Sequence, residues 1–393
     1  MTCIRALLSD ISFPMRILFY LTRYPGIGGI ENVTSLIVSE LTKDAAYEVD
    51  VVSHMQQAGA VLPDFGGRIF HMPNPKVWRA RENYVFVEEL VREGNYDVIV
   101  YQDSYAPTED IVCLLSQKYH IPLLVFEHTS PLFVSKKRSL LPWTSMKGLA
   151  RRVLHPWLLK KDIRRKRKLL GHAVKYVQLS ERSVTEFCRL VGYANEGKVT
   201  FINNPLPPEV QVQSGPKENL LLYVGRLVPE KGVDRMLAIW AKLQDEFPEW
   251  KFVIVGDGPE RIRLGKIVRD RKLVRVNFEG FQEPSSYYAK ARLFLMMSRY
   301  EGWGLTLCEA MRWGMVPVVL DTFSAVHDII ADKQNGFLAK DETVFYQLLR
   351  DLMRNPEKME RVGRNARTVT EKFSIEVIVQ RWKSLLQSCV ENR

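Results

Sequence analysis

At 393 residues, with 46% hydrophobic and 26% charged residues, the chain is large enough for two globular domains of ordinary size. Its five cysteines lie far apart and are never spaced as C-x2-C, which argues against a disulfide framework or a zinc site and favours a reducing, cytoplasmic location. No apolar run approaches the roughly 20 residues of a membrane-spanning helix, so we expect the chain, with its net charge of +11, to be soluble or peripheral at a membrane.

Short apolar, β-branched runs alternate along the chain with longer helix-like segments. This alternation is typical of parallel sheets that are covered by helices on both faces. Residues 1–14 precede the first run and are predicted to be a dispensable extension. The predicted strands of the first half are 16–21, 49–53, 97–101, 121–126 and 174–179. Those of the second half are 219–224, 251–255, 274–278, 292–297 and 316–320.

The boundary between the two series lies in a segment rich in proline and polar residues, which is typical of a linker. We predict an N-terminal domain over residues 15–205, a linker over 206–217 and a C-terminal domain over 218–375. A last helix over 376–393 is expected to pack back on the N-terminal domain.

The first strand is followed by a glycine-rich loop that ends at Glu31. This loop lacks the G-x-G-x-x-G spacing of dinucleotide-binding proteins, and the second strand ends on Ser53 and His54 rather than on an acid. A nicotinamide or flavin enzyme is therefore disfavoured. Gly28 and Gly29 are predicted instead to let a substrate approach the backbone.

His128 follows the fourth predicted strand, so it is expected to point into a cleft at the carboxyl edge of the sheet. A purely structural role is the alternative for a lone histidine. The other six histidines show no metal-ligand spacing such as H-E-x-x-H, and the sequence has no D-x-D motif. The sequence therefore indicates no metal ligands.

A basic segment between Lys136 and Lys168 contains thirteen Lys and Arg residues and a single acid, Asp162. Large apolar residues alternate with these cations, a pattern that suits an anionic membrane surface, while a solvated helix face is the alternative. Nucleic acid is a weaker alternative, because no known binding motif accompanies the charge. The predicted docking residues are Lys136, Lys137, Arg138, Trp143, Arg151, Arg152, Trp157, Lys160, Lys161, Arg164 and Arg165.

The first strand of the second half runs into a glycine-bounded loop that contains Arg226 and Lys231. At the carboxyl end of a strand two such cations can converge on a diphosphate, although two unrelated loop cations are the alternative. Gly256, in a Gly-Asp-Gly-Pro turn after the next strand, is predicted to let the backbone approach a nucleobase or a ribose, or to be simply part of a turn.

The strand at 292–297 leads through Gly302 and Gly304 into a helix predicted over 305–313. The free N–H groups at such a helix start bind phosphate well. Glu301 precedes the helix and Glu309 lies about one turn beyond its start, so two carboxylates that can accept hydrogen bonds from sugar hydroxyls bracket the site. A solvated loop acid and a surface helix acid are the alternative.

Five motifs have the order and spacing of one known family: Gly28-Gly29-x-Glu31, Gly225-Arg226-x4-Lys231-Gly232, Gly256-Asp257-Gly258-Pro259, Glu301-x7-Glu309 and Asn335-Gly336-Phe337. From Met15 onward the chain resembles glycosyltransferase family 4. The resemblance implies the GT-B fold, an α/β fold in which two Rossmann-like, doubly wound domains face each other across a cleft. The family commonly has a glycine pair and Glu after strand 316–320. This chain departs from that pattern with Phe323-Ser324-Ala325, so we predict no site residue in this loop.

The resemblance also assigns roles to the residues of the motifs. It implies that Arg226 and Lys231 hold the donor diphosphate, that Glu309 binds the ribose and that Glu301 binds the transferred sugar. The donor-binding residues that it implies are Gly28, Gly29, Arg226, Lys231, Gly256, Leu305, Thr306 and Glu309. The catalytic residues that it implies are Glu301, His128, Arg226 and Lys231, with His128 near the reacting carbon.

The function implied is retaining transfer of a hexosyl or hexosaminyl group from a UDP- or GDP-linked sugar to a lipid-linked or growing polysaccharide. The expected pathway is capsule, O-antigen lipopolysaccharide or exopolysaccharide biosynthesis, at the cytoplasmic face of the inner membrane. No metal or other cofactor is expected, because the two cations and the helix start can stabilise the departing diphosphate. A nucleotide-sugar epimerase of the same architecture and a non-catalytic nucleotide-sugar-binding protein are the alternatives.

Overall fold

The computed structural model describes residues 13–60, 64–102, 107–137, 146–208 and 216–391, and contains two parallel sheets, one in each half of the chain. The N-terminal sheet has seven strands in the order β3-β2-β1-β4-β5-β6-β7. These strands are β1 (Met15–Arg23), β2 (Tyr47–Met55), β3 (Ile69–His71), β4 (Val98–Tyr101), β5 (Leu123–Phe126), β6 (Lys175–Gln178) and β7 (Val199–Phe201).

Helices cover both faces of the N-terminal sheet. They are α1 (Gly29–Leu41), α2 (Arg81–Gly94), α3 (Glu109–Tyr119), α4 (Phe133–Lys137), α5 (Met146–His172) and α6 (Glu181–Val191). Alternate residues of β1 enter two different cores: Phe19 packs under α1, while Leu18 and Tyr20 pack on the opposite face. Burial on both faces explains why these strands consist of nearly continuous apolar runs.

The C-terminal sheet has six parallel strands in the order β10-β9-β8-β11-β12-β13. The strands are β8 (Glu218–Val224), β9 (Lys251–Val255), β10 (Val276–Gly280), β11 (Ala291–Met296), β12 (Val316–Leu320) and β13 (Phe337–Ala339). A short 3-10 helix spans Pro229–Lys231. The α-helices are α7 (Val233–Leu243), α8 (Arg261–Asp270), α9 (Ser285–Lys290), α10 (Leu305–Arg312), α11 (Val326–Ile329), α12 (Glu342–Met353), α13 (Pro356–Ala366), α14 (Val369–Lys372) and α15 (Ile375–Glu391).

The strand order reverses between β1 and β4 in one sheet and between β8 and β11 in the other. Ligands of open α/β sheets bind at such switch points, outside the carboxyl ends of the strands. The predicted pair of doubly wound α/β domains is confirmed. Three strands were not predicted, β3, β7 and β13, and each is a three-residue strand at a sheet edge.

The last helix, α15, packs on the N-terminal sheet rather than on the domain that precedes it in sequence. Trp382 stacks on Phe126 of β5 with 4.0 Å between the ring centroids, and its ring also lies near Phe19. Lys383 pairs with Asp44 at 2.5 Å. The C-terminus of the chain therefore completes the core of the N-terminal domain.

Across the described ranges, no helix combines the length and the apolar character that crossing a membrane requires.

Candidate active site

The site is built around the start of α10. Gly304 caps this helix with a φ of +107°, a left-handed conformation that glycine adopts without strain. The first N–H groups of α10 have no acceptor inside the helix, so Leu305 and Thr306 present donors and the positive end of the helix dipole. This geometry suits a phosphate group.

Lys231 and Glu301 meet directly at this helix start. The Lys231 ammonium donates to Glu301 Oε1 at 2.5 Å, and the buried Ser298 hydroxyl donates to the same oxygen at 2.7 Å. Both ion-pair partners keep some exposure, 21% for the Lys231 side chain and 13% for that of Glu301. An ammonium has three N–H donors, so Lys231 can pair with Glu301 and still donate to a diphosphate.

Arg226 lies in the neighbouring loop with its side chain exposed. Its backbone carbonyl accepts a hydrogen bond from the Tyr223 hydroxyl at 2.9 Å. Tyr223 is buried, which raises its pKa well above the usual value, so the phenol stays protonated and acts as a donor. Tyr223 was not predicted as a site residue, since in the sequence it is simply an apolar residue of β8.

Gly256 was predicted to let the backbone approach a base or a ribose. In the structure it has a φ of +131°, and a Cβ atom at this position would collide with the Gly225 carbonyl oxygen. Its N–H donates to Gly280 O at 2.6 Å. The close packing of three strand-end loops therefore accounts for this glycine by itself, and its contact with a donor stays a prediction.

Glu309 lies one turn into α10, partly buried. The hydroxyl of Tyr288 on α9 donates to Glu309 Oε2 at 2.8 Å. Burial raises the pKa of Glu309, while the Tyr288 hydrogen bond and Arg312 lower it. Tyr288 was not predicted as a site residue, and only the tertiary structure brings it to Glu309.

His128 lies where the two domains touch. His128 is 9% exposed, and neither nitrogen of its ring has a hydrogen-bond partner among the described residues. Burial lowers the pKa of His128 to about 4, so the imidazole is neutral at neutral pH. Gly302 lies against the backbone of His128 and Thr129, where a Cβ atom would collide with the His128 carbonyl oxygen. The structure thus brings the predicted His128 to the loop that carries Glu301.

Gly28 and Gly29 form the start of α1 on the opposite side of the cleft. A Cβ atom on Gly29 would lie 3.5 Å from Leu305 Cδ1, so Gly29 faces the start of α10, and its contact with a donor stays a prediction. At Gly28 the Glu31 carboxylate folds back over the loop and occupies the space of a side chain.

The loop after β12, in which no site residue was predicted, also touches the site. The Thr322 hydroxyl donates to Ser298 O at 2.5 Å, and Lys136 of α4 reaches across the cleft to donate to Thr322 O at 2.5 Å. Phe133 of the same helix packs edge-to-face on Tyr300, with 5.0 Å between the ring centroids. Lys136 was predicted to dock on a membrane. It instead bridges the two domains, so we remove it from the docking surface.

The predicted docking residues of α5 divide into two faces. The inner face carries Arg165, which bonds the Tyr101 hydroxyl at 3.1 Å and pairs with Glu109 at 3.3 Å, and Lys166, which pairs with the fully buried Glu127. Placing Arg165 on the docking surface was therefore wrong, because its charge is used inside the fold.

The outer face of α5 is exposed. We call it the α5 outer face and define it by its exposed apolar and cationic residues, Val153, Leu154, Trp157, Lys160, Lys161 and Arg164. Arg152 is partly exposed, and Lys137 lies over the Phe133 ring at 4.8 Å. Of the remaining predicted docking residues, Arg138, Trp143 and the Arg151 side chain lie outside the described part of the chain.

Comparisons with known proteins show the family of the chain. A family model described as Glycosyltransferase Family 4 matches residues 27–210, and one described as Glycosyl transferases group 1 matches residues 209–369. The chain belongs to the family 4 glycosyltransferases. A glycosyltransferase of Haemophilus influenzae is 25% identical over 94% of this chain and 99% of its own length. The amylovoran biosynthesis glycosyltransferase AmsD of Erwinia amylovora is 27% identical over 43% of this chain and 48% of its own length.

Solved structures show the same fold. Sucrose-phosphate synthase of Thermosynechococcus elongatus superposes with a TM-score of 0.78 at 17% identity, covering 96% of this chain and all of that one. HepE of Anabaena, solved in complex with UDP and glucose, has a TM-score of 0.72 at 17% identity over 95% of this chain and all of its own. The GT-B fold expected from the sequence is confirmed.

Proposed function

We propose that this family 4 glycosyltransferase transfers a hexosyl or hexosaminyl group, with retention of anomeric configuration, from a UDP- or GDP-linked sugar to a lipid-linked or growing polysaccharide. The observation that carries the proposal is the Lys231–Glu301 pair at the start of α10, in the cleft between the domains. The UDP and glucose bound to the structural neighbour HepE support the choice of donor, and the similarity to AmsD, an amylovoran biosynthesis enzyme, supports the choice of acceptor.

In the proposed reaction the C1–oxygen bond to the nucleoside diphosphate breaks while the acceptor hydroxyl forms a bond to C1 from the same face. A diphosphate oxygen takes the hydroxyl proton, so no protein base is needed. Arg226, Lys231 and the N–H groups of Leu305 and Thr306 stabilise the negative charge that develops on the diphosphate. In other transferases a metal ion stabilises the negative charge of the departing diphosphate. Because these groups can stabilise it here, we propose that no metal is required.

Glu301 and His128 are proposed to position the transferred sugar. The Glu301 carboxylate can accept hydrogen bonds from sugar hydroxyls, and the neutral, unpartnered ring of His128 can donate one hydrogen bond and accept another. A carboxylate in this role does not attack the sugar, unlike the nucleophile of a retaining glycosidase. Glu309 is proposed to bind the ribose hydroxyls.

We further propose that the α5 outer face docks on an anionic membrane, which places the enzyme at the cytoplasmic face of the inner membrane. Trp157 is 60% exposed and Val153 is 72% exposed, and the cations Lys160, Lys161 and Arg164 lie one and two turns further along the helix. Exposed apolar side chains beside cations are the features by which amphipathic helices bind anionic lipid surfaces.

The test of the function begins with a thermal-shift screen of the purified chain against UDP, GDP and ADP and their common sugars, since a bound ligand raises apparent stability. The best donor is then incubated with EDTA, with and without a short-chain polyprenyl-diphosphate sugar as acceptor. We expect transfer only when the acceptor is present, and an α-linked product from an α-linked donor by NMR.

The other outcomes of this experiment have distinct meanings. An inverted linkage contradicts retention, and loss of transfer in EDTA contradicts metal independence. Conversion of the donor sugar without acceptor indicates an epimerase. Donor binding with no turnover, over a range of glycolipid acceptors, indicates a binding protein.

A further inference from the structure

The side chain of Tyr288 hydrogen-bonds the Glu309 carboxylate. Its residue is 2% exposed, and its hydroxyl lies 2.8 Å from Glu309 Oε2. A buried phenol hydroxyl costs stability unless it has a partner, so the bond to Glu309 satisfies both groups.

The backbone that carries Tyr288 is held at both ends of α9. At the start of the helix, Ser285 donates to Glu283 through its N–H at 3.0 Å and through its hydroxyl at 2.7 Å. Near its end, the Lys217 ammonium donates to the Tyr288 carbonyl oxygen at 2.8 Å. These bonds anchor the backbone of α9 on both sides of the residue whose hydroxyl donates to Glu309.

We propose that Tyr288 is a positioning residue for nucleotide-sugar binding, which fixes Glu309 through Oε2 and leaves Oε1 to accept the ribose hydroxyls. The inference rests on the proposed function, in which Glu309 binds the ribose. Such an arrangement favours ribonucleotides over nucleotides that lack the ribose hydroxyls. A carboxylate that is already oriented loses less conformational entropy when it accepts hydrogen bonds from these hydroxyls.

Electrostatics add a second role for the same hydrogen bond. Burial and the nearby Glu283 raise the pKa of Glu309, while Tyr288 and Arg312 lower it. Without the Tyr288 hydroxyl the carboxylate would take up a proton at a higher pH and lose its capacity to accept from ribose.

The experiment compares binding of UDP and 2′,3′-dideoxy-UDP, or the matching GDP pair if the screen selects GDP, by calorimetry. In the native enzyme we expect the ribonucleotide to bind at least about tenfold more tightly, because loss of hydroxyls leaves a buried acceptor unpaired. Tyr288→Phe should reduce this ratio to about two- to threefold, since hydrogen bonds to charged groups are the strong ones. The affinity of Tyr288→Phe for the dideoxy nucleotide should stay within about twofold of native, because that ligand lacks the ribose hydroxyls and the diphosphate contacts are retained.

The matched control is Tyr287→Phe. Tyr287 lies on the same helix and also donates to a carboxylate, Glu279 at 3.2 Å, but that pair is on another face. We expect native ratios for this variant. A Tyr288→Phe protein that also keeps the native ratio, or that weakens both nucleotides equally, refutes the positioning role.

Two further measurements separate this inference from the function on which it rests. Glu309→Gln alone should lower the ratio of the affinity for UDP to the affinity for 2′,3′-dideoxy-UDP. Adding Tyr288→Phe to this variant should lower the ratio no further. If Glu309→Gln keeps the native ratio, the ribose role of Glu309 in the proposed function is wrong. If Tyr288→Phe does not fold, Tyr288→Met, which also lacks the hydroxyl, should show the same selective loss.

The pH dependence of UDP binding separates a positioning role of Tyr288 from a purely structural role, which would leave this dependence unchanged. In Tyr288→Phe, the affinity for UDP should begin to fall at a higher pH than in the native enzyme as the solution is acidified. Identical pH profiles for the two proteins count against the inference.

Discussion

Lys231 precedes Glu301 by 70 residues in the chain, yet their charged groups are 2.5 Å apart. The pair forms because a loop after β8 and a loop after β11 meet at the switch point of the sheet, where β8 and β11 are neighbours. A positive charge that is held in place before the reaction begins stabilises a developing negative charge without further reorganisation. At the scale of the residue, this pair is the centre of the proposed chemistry.

Lys231→Ala should lower kcat about 100- to 1,000-fold, because one preorganised donor to the departing diphosphate is lost. The variant should still unfold cooperatively, because Lys231 lies in a loop and its side chain is partly exposed. The measurement is kcat at saturating donor, with a thermal melt alongside. Lys266→Ala, an exposed lysine on α8, is the control and should be native in both assays. Near-native turnover of Lys231→Ala counts against the proposed role.

At the scale of the element, α5 shows how one basic helix serves two purposes. Its inner face pairs with acids of the domain, above all Lys166 with the buried Glu127, which also accepts from Tyr176 at 3.1 Å and Gln178 at 3.0 Å. Its outer face leaves apolar and cationic groups in solvent. Charge density alone cannot separate the two faces, because both contain consecutive lysines and arginines.

Substitutions on the inner and outer faces of α5 should affect the free energy of unfolding differently. Lys166→Met should cost about 3–5 kcal/mol of unfolding free energy, because it leaves a buried carboxylate without its partner. Lys160→Met, on the same helix, should change it by less than about 0.5 kcal/mol. Urea denaturation at neutral pH measures both. Equal losses in the two variants contradict the division into faces.

Vesicle binding gives the complementary result. Reversing the charges of Lys160, Lys161 and Arg164 to Glu should weaken binding to phosphatidylcholine vesicles that contain phosphatidylglycerol at least about a hundredfold, at roughly 1 kcal/mol for each lost cation. The control reverses Lys266, Arg269 and Arg271, which are exposed on the other domain, and should bind like the native protein. Indifference of the native protein to anionic lipid removes the membrane proposal.

At the scale of the whole molecule, the candidate active site lies where the two domains touch. Gly302 of one domain packs on the backbone of His128 of the other, and Lys136 bonds Thr322 across the same cleft. The last helix, α15, returns to the N-terminal core through Trp382. These contacts hold the two domains together around the candidate site.

Gly302→Ala tests this domain contact. The added methyl group would collide with the His128 carbonyl oxygen. Because the colliding atoms of the other domain belong to the backbone, we expect the two domains to move apart at this contact. We expect kcat to fall about a hundredfold, the usual effect of a misplacement of about 1 Å in an active site, while each domain stays folded. Gly265→Ala on α8 is the control, since its new methyl group meets only the tip of Arg269 at 4.0 Å. Native turnover of Gly302→Ala would show that this contact is not needed.

The fold was largely predictable from the sequence because its signals are local. Buried strands such as β4 and β5 are continuous apolar runs, and glycines mark the loops at strand ends. The strands that escaped prediction, β3, β7 and β13, have only three residues each, too few for a pattern. The motif residues Lys231, Glu301 and Glu309 could likewise be recognised, because their spacing lies within single loops and one helix.

Tertiary structure decided what these residues touch. The Tyr288–Glu309 hydrogen bond, the Lys136–Thr322 bridge and the inward direction of Arg165 each join segments that are far apart in the chain or on different elements. The same lysine or tyrosine can be solvated or buried, and only the packing of distant elements selects between the two. By itself the sequence determined the two α/β domains and the chemistry of the strand-end loops. The fold decided which charges face the cleft, the interior or the solvent, because burial and pairing are properties of contacts and not of residue types.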